Sequence, residues 1–271
     1  SDAARVFSDP AYAVQHQMLL MGSGADLIAT RIGANREDCD AVALLSQQRA
    51  ALAQKEGRFQ SIMPVKTPEG MISEDECIRA DMTAERLATL PAAFAELGAA
   101  GADQVQLQKF PELSAIEHVH TMGNSPAMCD AGALVLLGDE ALGSSLGMAP
   151  KARLVCSTTA SGEPLEVVSG CVTATEALLA DQKLSAQDID LFEIHEAFAA
   201  TVVKTRQVLG IDDSRLNVNG GVIALGHPMG ATGAIMAGTL IDELHRQQLA
   251  HGIVAASGAA GSGSALLFER Y

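Results

Sequence analysis

Positive charge is what this sequence lacks most. Lys and Arg number 18 against 33 Asp and Glu, a formal net charge of −15, and the pI is near 4.8. No basic face can be assembled against that carboxylate excess, which excludes a nucleic-acid role, although local basic spots can still hold an acidic small ligand. Long apolar runs are missing too. None reaches the roughly 18 to 20 residues of a membrane span, and no basic segment leads into an apolar stretch and cleavage site at the start. The five cysteines, Cys39, Cys77, Cys129, Cys156 and Cys171, are odd in number and follow no CxxC or other metal-ligand spacing. They read as reduced thiols in a cytoplasmic protein without a metal site.

What is present is apolar and regular. Hydrophobic residues fill 48% of the 271 positions, which suits one large or two small domains with a well-buried core. The first third reads as helical and polar. Arg36 to Gln54 follows Asn35, an N-cap with acidic residues in the first turn, and Val42, Leu45 and Leu52 share one face. Arg79 to Phe94 reads as a second helix, with the extended FQSIMPVKTPEG between them, and the stretch from Gly98 to His120 is expected to contain a flexible insertion. From Gly132 strand and helix alternate. ALVLLGDE (133–140) reads as a buried strand, and Met148 to Pro150 connects it to the strand RLVCSTTA. A helix over Ala174 to Gln182 precedes a Ser185/Asp188 capping box and the strand DLFEI. Helices from Ala197 and from Gly230, a strand near Gly252 to Ala256 and a last strand Ser264 to Phe268 complete an α/β domain.

Three polar loops of that domain fall at strand ends or helix starts: HEAFA (195–199), NGGVIALGHPMG (219–230) and SGAAGSG (257–263). In open α/β sheets ligands bind where such loops converge. In the second loop, apolar residues on both sides of GHP suggest a buried strand running into a buried helix. His227 is placed to act as a base or oxyanion donor, and His195, beside Glu196, as a second such group. The same residues also fit ordinary capping histidines, and the small-residue loops also fit close helix packing.

MGSGADLIATRIGANREDCDAVALLSQQRAALAQKEGRF (21–59), HTMGNSPAMCDAGALVLLGDE (120–140), DIDLFEIHEAFAA (188–200), LNVNGGVIALGHPMGATGA (216–234) and the terminal SGAAGSG carry a resemblance to the thiolase family, within it to the acyl-CoA thiolases of fatty-acid degradation. The pieces span nearly the whole chain. The resemblance implies an α/β, layered αβαβα fold lacking most of its N-terminal half-domain: a helical loop domain over 1–130, the last part of the N-terminal half-domain sheet over 131–148, and the C-terminal domain over 149–271. It implies acyl transfer through a thioester, either thiolytic cleavage of a 3-ketoacyl-CoA or condensation of acetyl-CoA. His227 would activate a cysteine nucleophile, and His195 would position a water or form the oxyanion hole, with Asn219, Gly226 and Gly258 supporting the oxyanion and turn geometry. Coenzyme A is then a substrate rather than a permanently bound cofactor. Its phosphates would be met by Arg49, Arg58 and Lys66, and no metal is implied.

Two departures qualify the resemblance. None of the five cysteines stands in the family's nucleophile context, and Ser257 takes the place of the C-terminal acid/base cysteine. A hydroxyl is a far poorer base than a thiol at neutral pH. GCVTA (170–174) also replaces the usual GPVPA on the wall of the acyl pocket. The sequence therefore predicts an acyltransferase that needs an N-terminal half carrying the nucleophile, in a homo-oligomer or a hetero-oligomer, with this chain alone inactive. The alternative is a degenerate CoA-binding or structural subunit.

Overall fold

The computed structural model describes residues 19–271. Helix α1 (Met21–Ile32) buries most of its length and stops at Gly33, whose φ of 70° is the left-handed cap that glycine adopts freely. Helix α2 (Arg36–Lys55) begins at a reciprocal box: the Asp38 N–H donates to Asn35 Oδ1 and the Asn35 N–H to Asp38 Oδ2, each at 2.9 Å. The extended piece that follows is a hairpin of β1 (Val65–Thr67) and β2 (Gly70–Ile72). Of the expected helix at 79–94, only α3 (Ala84–Ala88) forms. Thr83 caps its start and Pro91 cannot continue its hydrogen-bond ladder.

The expected flexible insertion after Gly98 is an ordered element instead. Helix α4 (Asp103–Lys109) is followed by a stretch in which Ile116, Val119, His120 and Thr121 are buried. The anchor is Asp26 of α1, which is fully buried. Its carboxylate accepts from the Val119 and His120 main chain and meets Nδ1 of both His118 (2.8 Å) and His120 (2.7 Å). The sequence offers no periodicity here because the segment is irregular, held by these polar contacts together with isolated apolar side chains such as Ile116 and Val119.

The strand expected over 133–140 is absent. Residues 131–139 are irregular, with Leu134 95% exposed, and the chain turns into α5 (Glu140–Leu146) at the N-cap Asp139. A strand exists only when a neighbour completes its ladder, and among the described residues none pairs with this segment.

The C-terminal domain follows the predicted order closely. Strand β3 (Ala152–Ser161) leads to α6 (Gly170–Gln182), β4 (Leu191–Ile194), α7 (Ala199–Leu209), a single turn α8 (Val222–Leu225), α9 (Thr232–Gln247), β5 (His251–Ser257) and β6 (Ser262–Arg270). The stretch before His227 is thus helical, not the strand its apolar residues suggest: the Glu196 carboxylate accepts the Ile223 N–H inside the turn, a bond that fixes a helical start. The sheet order is β3-β6-β5-β4, antiparallel except for the parallel pair β4 and β5. Side-chain alternation sorts the core into two layers. Phe192, Ile194, Ile253, Ala255 and Leu267 join the cluster containing α6, α7, α1 and α2. Leu191, Val254 and Phe268 join Met236, Leu240 and Leu244 of α9 on the other face. The result is an α/β sandwich with an extra helical layer, α1 and α2, stacked over α7. No helix among the described residues is long and apolar enough to cross a membrane.

Candidate active site

Parallel pairing of β4 and β5 brings both strand ends to the same edge of the sheet. Ile194 pairs with Ala255, and the His195 N–H continues the ladder by donating to the Ala255 carbonyl at 2.8 Å. His195 therefore stands beside the end of β5, where Ser257 leaves the sheet. The turn after α8 delivers the third residue. The His227 N–H donates to the Ala127 carbonyl at 2.8 Å, and its Nδ1 meets Thr232 Oγ1 at 2.7 Å in the first turn of α9. Those two contacts aim the ring at His195. The ring centroids are 4.5 Å apart and tilted by 45°.

The electrostatics follow from burial. Desolvation, then the neighbouring His227, lower the His195 pKa to about 4, slightly offset by the Ser257 main chain. That main chain lies near the ring, yet neither ring nitrogen of His195 closes a hydrogen bond among the described residues. A buried imidazole with both nitrogens unpaired is costly unless something visits it. Burial also lowers the His227 pKa. Both rings are neutral near pH 7, so each can donate through one nitrogen and accept through the other. Since Nδ1 of His227 is held by Thr232, Nε2 is its free nitrogen among the described residues.

Ser257 is tied to a different element. The Cys171 N–H, in the first turn of α6, donates to Ser257 Oγ at 3.0 Å. The Cys171 thiol lies against the same hydroxyl and is pushed up to about 11 by burial. Glycines allow this approach: a β-carbon on Gly170 would fall 2.0 Å from the Ser262 carbonyl oxygen, and one on Gly263 at 2.0 Å from that of Gly170. Two of the positions where the sequence departs from the expected pattern, 171 and 257, are hydrogen-bonded neighbours.

Glu196 is scaffold beneath the histidines. Burial raises its pKa, and its carboxylate accepts from Ser46 Oγ (2.8 Å), Asn217 Nδ2 (3.1 Å) and the Ile223 N–H (3.1 Å). Asn217 adds a two-way bond to Ile194, accepting its N–H at 2.7 Å and donating to its carbonyl at 2.9 Å. Ser46, Asn217, Thr232 and Cys171 carry no site role in the sequence-based expectations, although all four lie inside the motifs quoted there.

The remaining predicted residues make other contacts. Asn219 is buried between Arg58 (3.1 Å) and Glu243 (2.9 Å), fastening the turn after α2 to α9, and hydrogen-bonds to neither histidine. Gly226 has φ of 89°, and the Gly258 N–H is already bonded to the Ser262 carbonyl at 2.8 Å. Arg49 donates to the carbonyls of Leu216, Asn217 and Asp213, and is a structural link here. Arg58 is paired with Glu56 at 2.6 Å in a depression shared with Lys151, Asp242, His245 and Arg246. Lys66 is exposed on the β1 strand.

Residues 5–106 match the thiolase N-terminal domain and residues 148–270 the thiolase C-terminal domain. Both family domains are thus represented in this chain, and the comparisons lend no support to the expectation that it is inactive alone. The acetyl-CoA acetyltransferase of Allochromatium vinosum is 36% identical over 256 residues, covering 92% of this chain and 60% of that protein. The 3-ketoacyl-CoA thiolase of Bacillus subtilis is 36% identical over 264 residues, covering 92% and 62%. Among solved structures, the human mitochondrial 3-ketoacyl-CoA thiolase in complex with CoA superposes with a TM-score of 0.80 at 29% identity, over 95% of this chain and 60% of that one. The acetyl-CoA acetyltransferase of Bacillus anthracis gives 0.78 at 32%, over 93% and 60%. The chain spans about 60% of the length of these relatives.

Proposed function

From the premise that the chain belongs to the thiolase family, we propose that its paired histidines carry acyl transfer between coenzyme A thioesters, by thiolysis of a 3-ketoacyl-CoA or condensation of acetyl-CoA. The observation that supports this most directly is the contact of two neutral imidazoles where β4 and β5 end, one of them with both ring nitrogens buried and unpaired. His195 donates to the thioester oxygen as negative charge develops there, and in its desolvated site that bond is stronger than it would be in water. His227, through Nε2, takes the proton of the attacking thiol and returns it to the leaving one. To Ser257 we assign the exchange of a proton with the substrate α-carbon.

The acyl-accepting thiol is a separate matter. Cys39 and Cys171 are fully buried, and burial raises them to about 12 and about 11, which makes both inert. The other three cysteines stand outside the family's nucleophile context, and we assign the nucleophile to a cysteine of an N-terminal half, on the same or another polypeptide. Coenzyme A phosphates would be met by Lys66 and by Arg58 once it leaves Glu56, while Arg49 acts through the Asn217 loop.

Intact mass spectrometry of the native material, with and without acetyl-CoA, tests the reading. An acyl adduct should form, and His227→Ala should slow its formation by about a hundredfold or more. An undiminished adduct in that variant would sink the assignment. The engagement of Ser257 Oγ by the Cys171 N–H favours one second reading, a CoA-binding relative with little turnover. It predicts CoA binding by calorimetry without any adduct.

A further inference from the structure

Cys77 and Cys129 lie far apart in sequence but close on a single point. A β-carbon on Gly226 would stand 2.6 Å from the Cys129 sulfur and 3.1 Å from the Cys77 sulfur. The two thiols are therefore neighbours, and the Cys77 thiol helps to hold that of Cys129 above its ordinary range. Both cysteines are free and half-buried, and neither belongs to a helix or strand. The irregular backbone on each side can therefore shift to bring the two neighbouring sulfurs to bonding distance, about 2 Å. The other three cysteines have no such partner: Cys39 and Cys171 are fully buried in the core, and Cys156 sits within β3.

We propose that Cys77 and Cys129 form a reversible disulfide, a modification site that braces the loop carrying His227. The bond joins the segment before α3 to the one after Ala127, across Gly226. Because the Ala127 carbonyl holds the His227 N–H, the brace acts on the backbone that aims the ring. With hydrogen peroxide as oxidant the chemistry balances. One thiolate attacks peroxide, giving a sulfenic acid and hydroxide; the second thiol then attacks that sulfur, forming the S–S bond and releasing water. A dithiol reductant restores both thiols by exchange. Burial, the Cys77 thiol, Asp75 and Asp130 all hold the Cys129 thiol above its ordinary range, which slows closure without changing its end state. The pair is independent of the acyl-transfer reading and can be tested without activity.

The full chain is treated with hydrogen peroxide, denatured, alkylated and mapped by mass spectrometry. The reduced protein should alkylate at all five cysteines; the oxidised protein should lose two sites, recovered as one linked peptide pair containing Cys77 and Cys129, and regain them with dithiol. Cys77→Ser and Cys129→Ser should each abolish that loss, whereas Cys156→Ser should not. Five alkylated sites after oxidation, or a linkage through Cys156 or between two chains, overturns the proposal. The wild-type peptide map decides it even if a serine variant folds poorly.

Discussion

At the scale of single residues, the buried His195 ring makes stability depend on pH. Its folded pKa of about 4 lies below the ordinary histidine value of 6.5, so the unfolded chain binds the extra proton. Stability is fully present above about pH 6.5 and falls as pH drops towards 4, by an amount on the order of 3 kcal/mol. Denaturant titrations between these limits should show that slope in the wild type and a shallower one in His195→Asn, which cannot titrate. Equal slopes would mean that the ring is solvated in the folded state. Ser257 makes the second residue-scale prediction. If proton exchange at the substrate α-carbon limits condensation, Ser257→Cys should raise it at least about tenfold in an assembly carrying the nucleophile. The first half-reaction, read as acyl-enzyme formation, should hardly change. A wild-type protein that condenses as fast as the variant would show that another group, or a water, does the work assigned to position 257.

At the scale of elements, the site depends on how closely α6 approaches the loop between β5 and β6. Gly170 and Gly263 meet backbone to backbone, with nothing flexible to give way. Gly170→Ala should therefore destabilise the fold by roughly 1 to 3 kcal/mol, a strain cost for inserting one methyl group. It should also push the Cys171 N–H away from Ser257. Thermal melts measure the first effect. Gly230→Ala is the comparison, since a β-carbon there would meet nothing within 4 Å and should leave the melting temperature nearly unchanged. The capping boxes belong to this scale as well. The Asn35 cap and the Ser185/Asp188 box were both visible as short patterns, because their geometry is local and needs no tertiary partner; the return bond from Asp38 emerged only in the structure.

At the scale of the whole molecule, the helical layer is tied to the sheet domain by a buried charge. Glu166 is 2% exposed and pairs with Arg31 of α1 at 2.6 Å and with Lys204 of α7. It lies in the turn between β3 and α6, so one carboxylate joins three elements. Glu166→Ala would leave Lys204, itself only 20% exposed at its side chain, without its partner. A loss of about 3 kcal/mol in denaturant unfolding is expected, together with faster amide exchange in α1 than in α9. If the variant unfolds at the same denaturant concentration as the wild type, the helical layer is held by its apolar contacts alone.

What the sequence determined by itself was whatever rests on local chemistry: the α/β alternation after residue 148, the Asn35 cap and the Ser185/Asp188 box, and the loops that hold His195, His227 and Ser257. Alternating apolar residues, helix caps and glycine turns are legible because each is decided within a few neighbouring positions. Tertiary structure alone decided the rest. Residues 133–137 are apolar enough for a strand, but a strand also needs a partner, and periodicity does not report whether one stands alongside. The ordered run from Ile116 to Thr121 was invisible because a single carboxylate, Asp26, holds it from a helix far away in sequence. Arg49 reads as a free cation until three distant carbonyls surround it. The meeting of Cys171 with Ser257, and of Cys77 with Cys129 over Gly226, likewise follows from packing between segments, which no window of sequence contains.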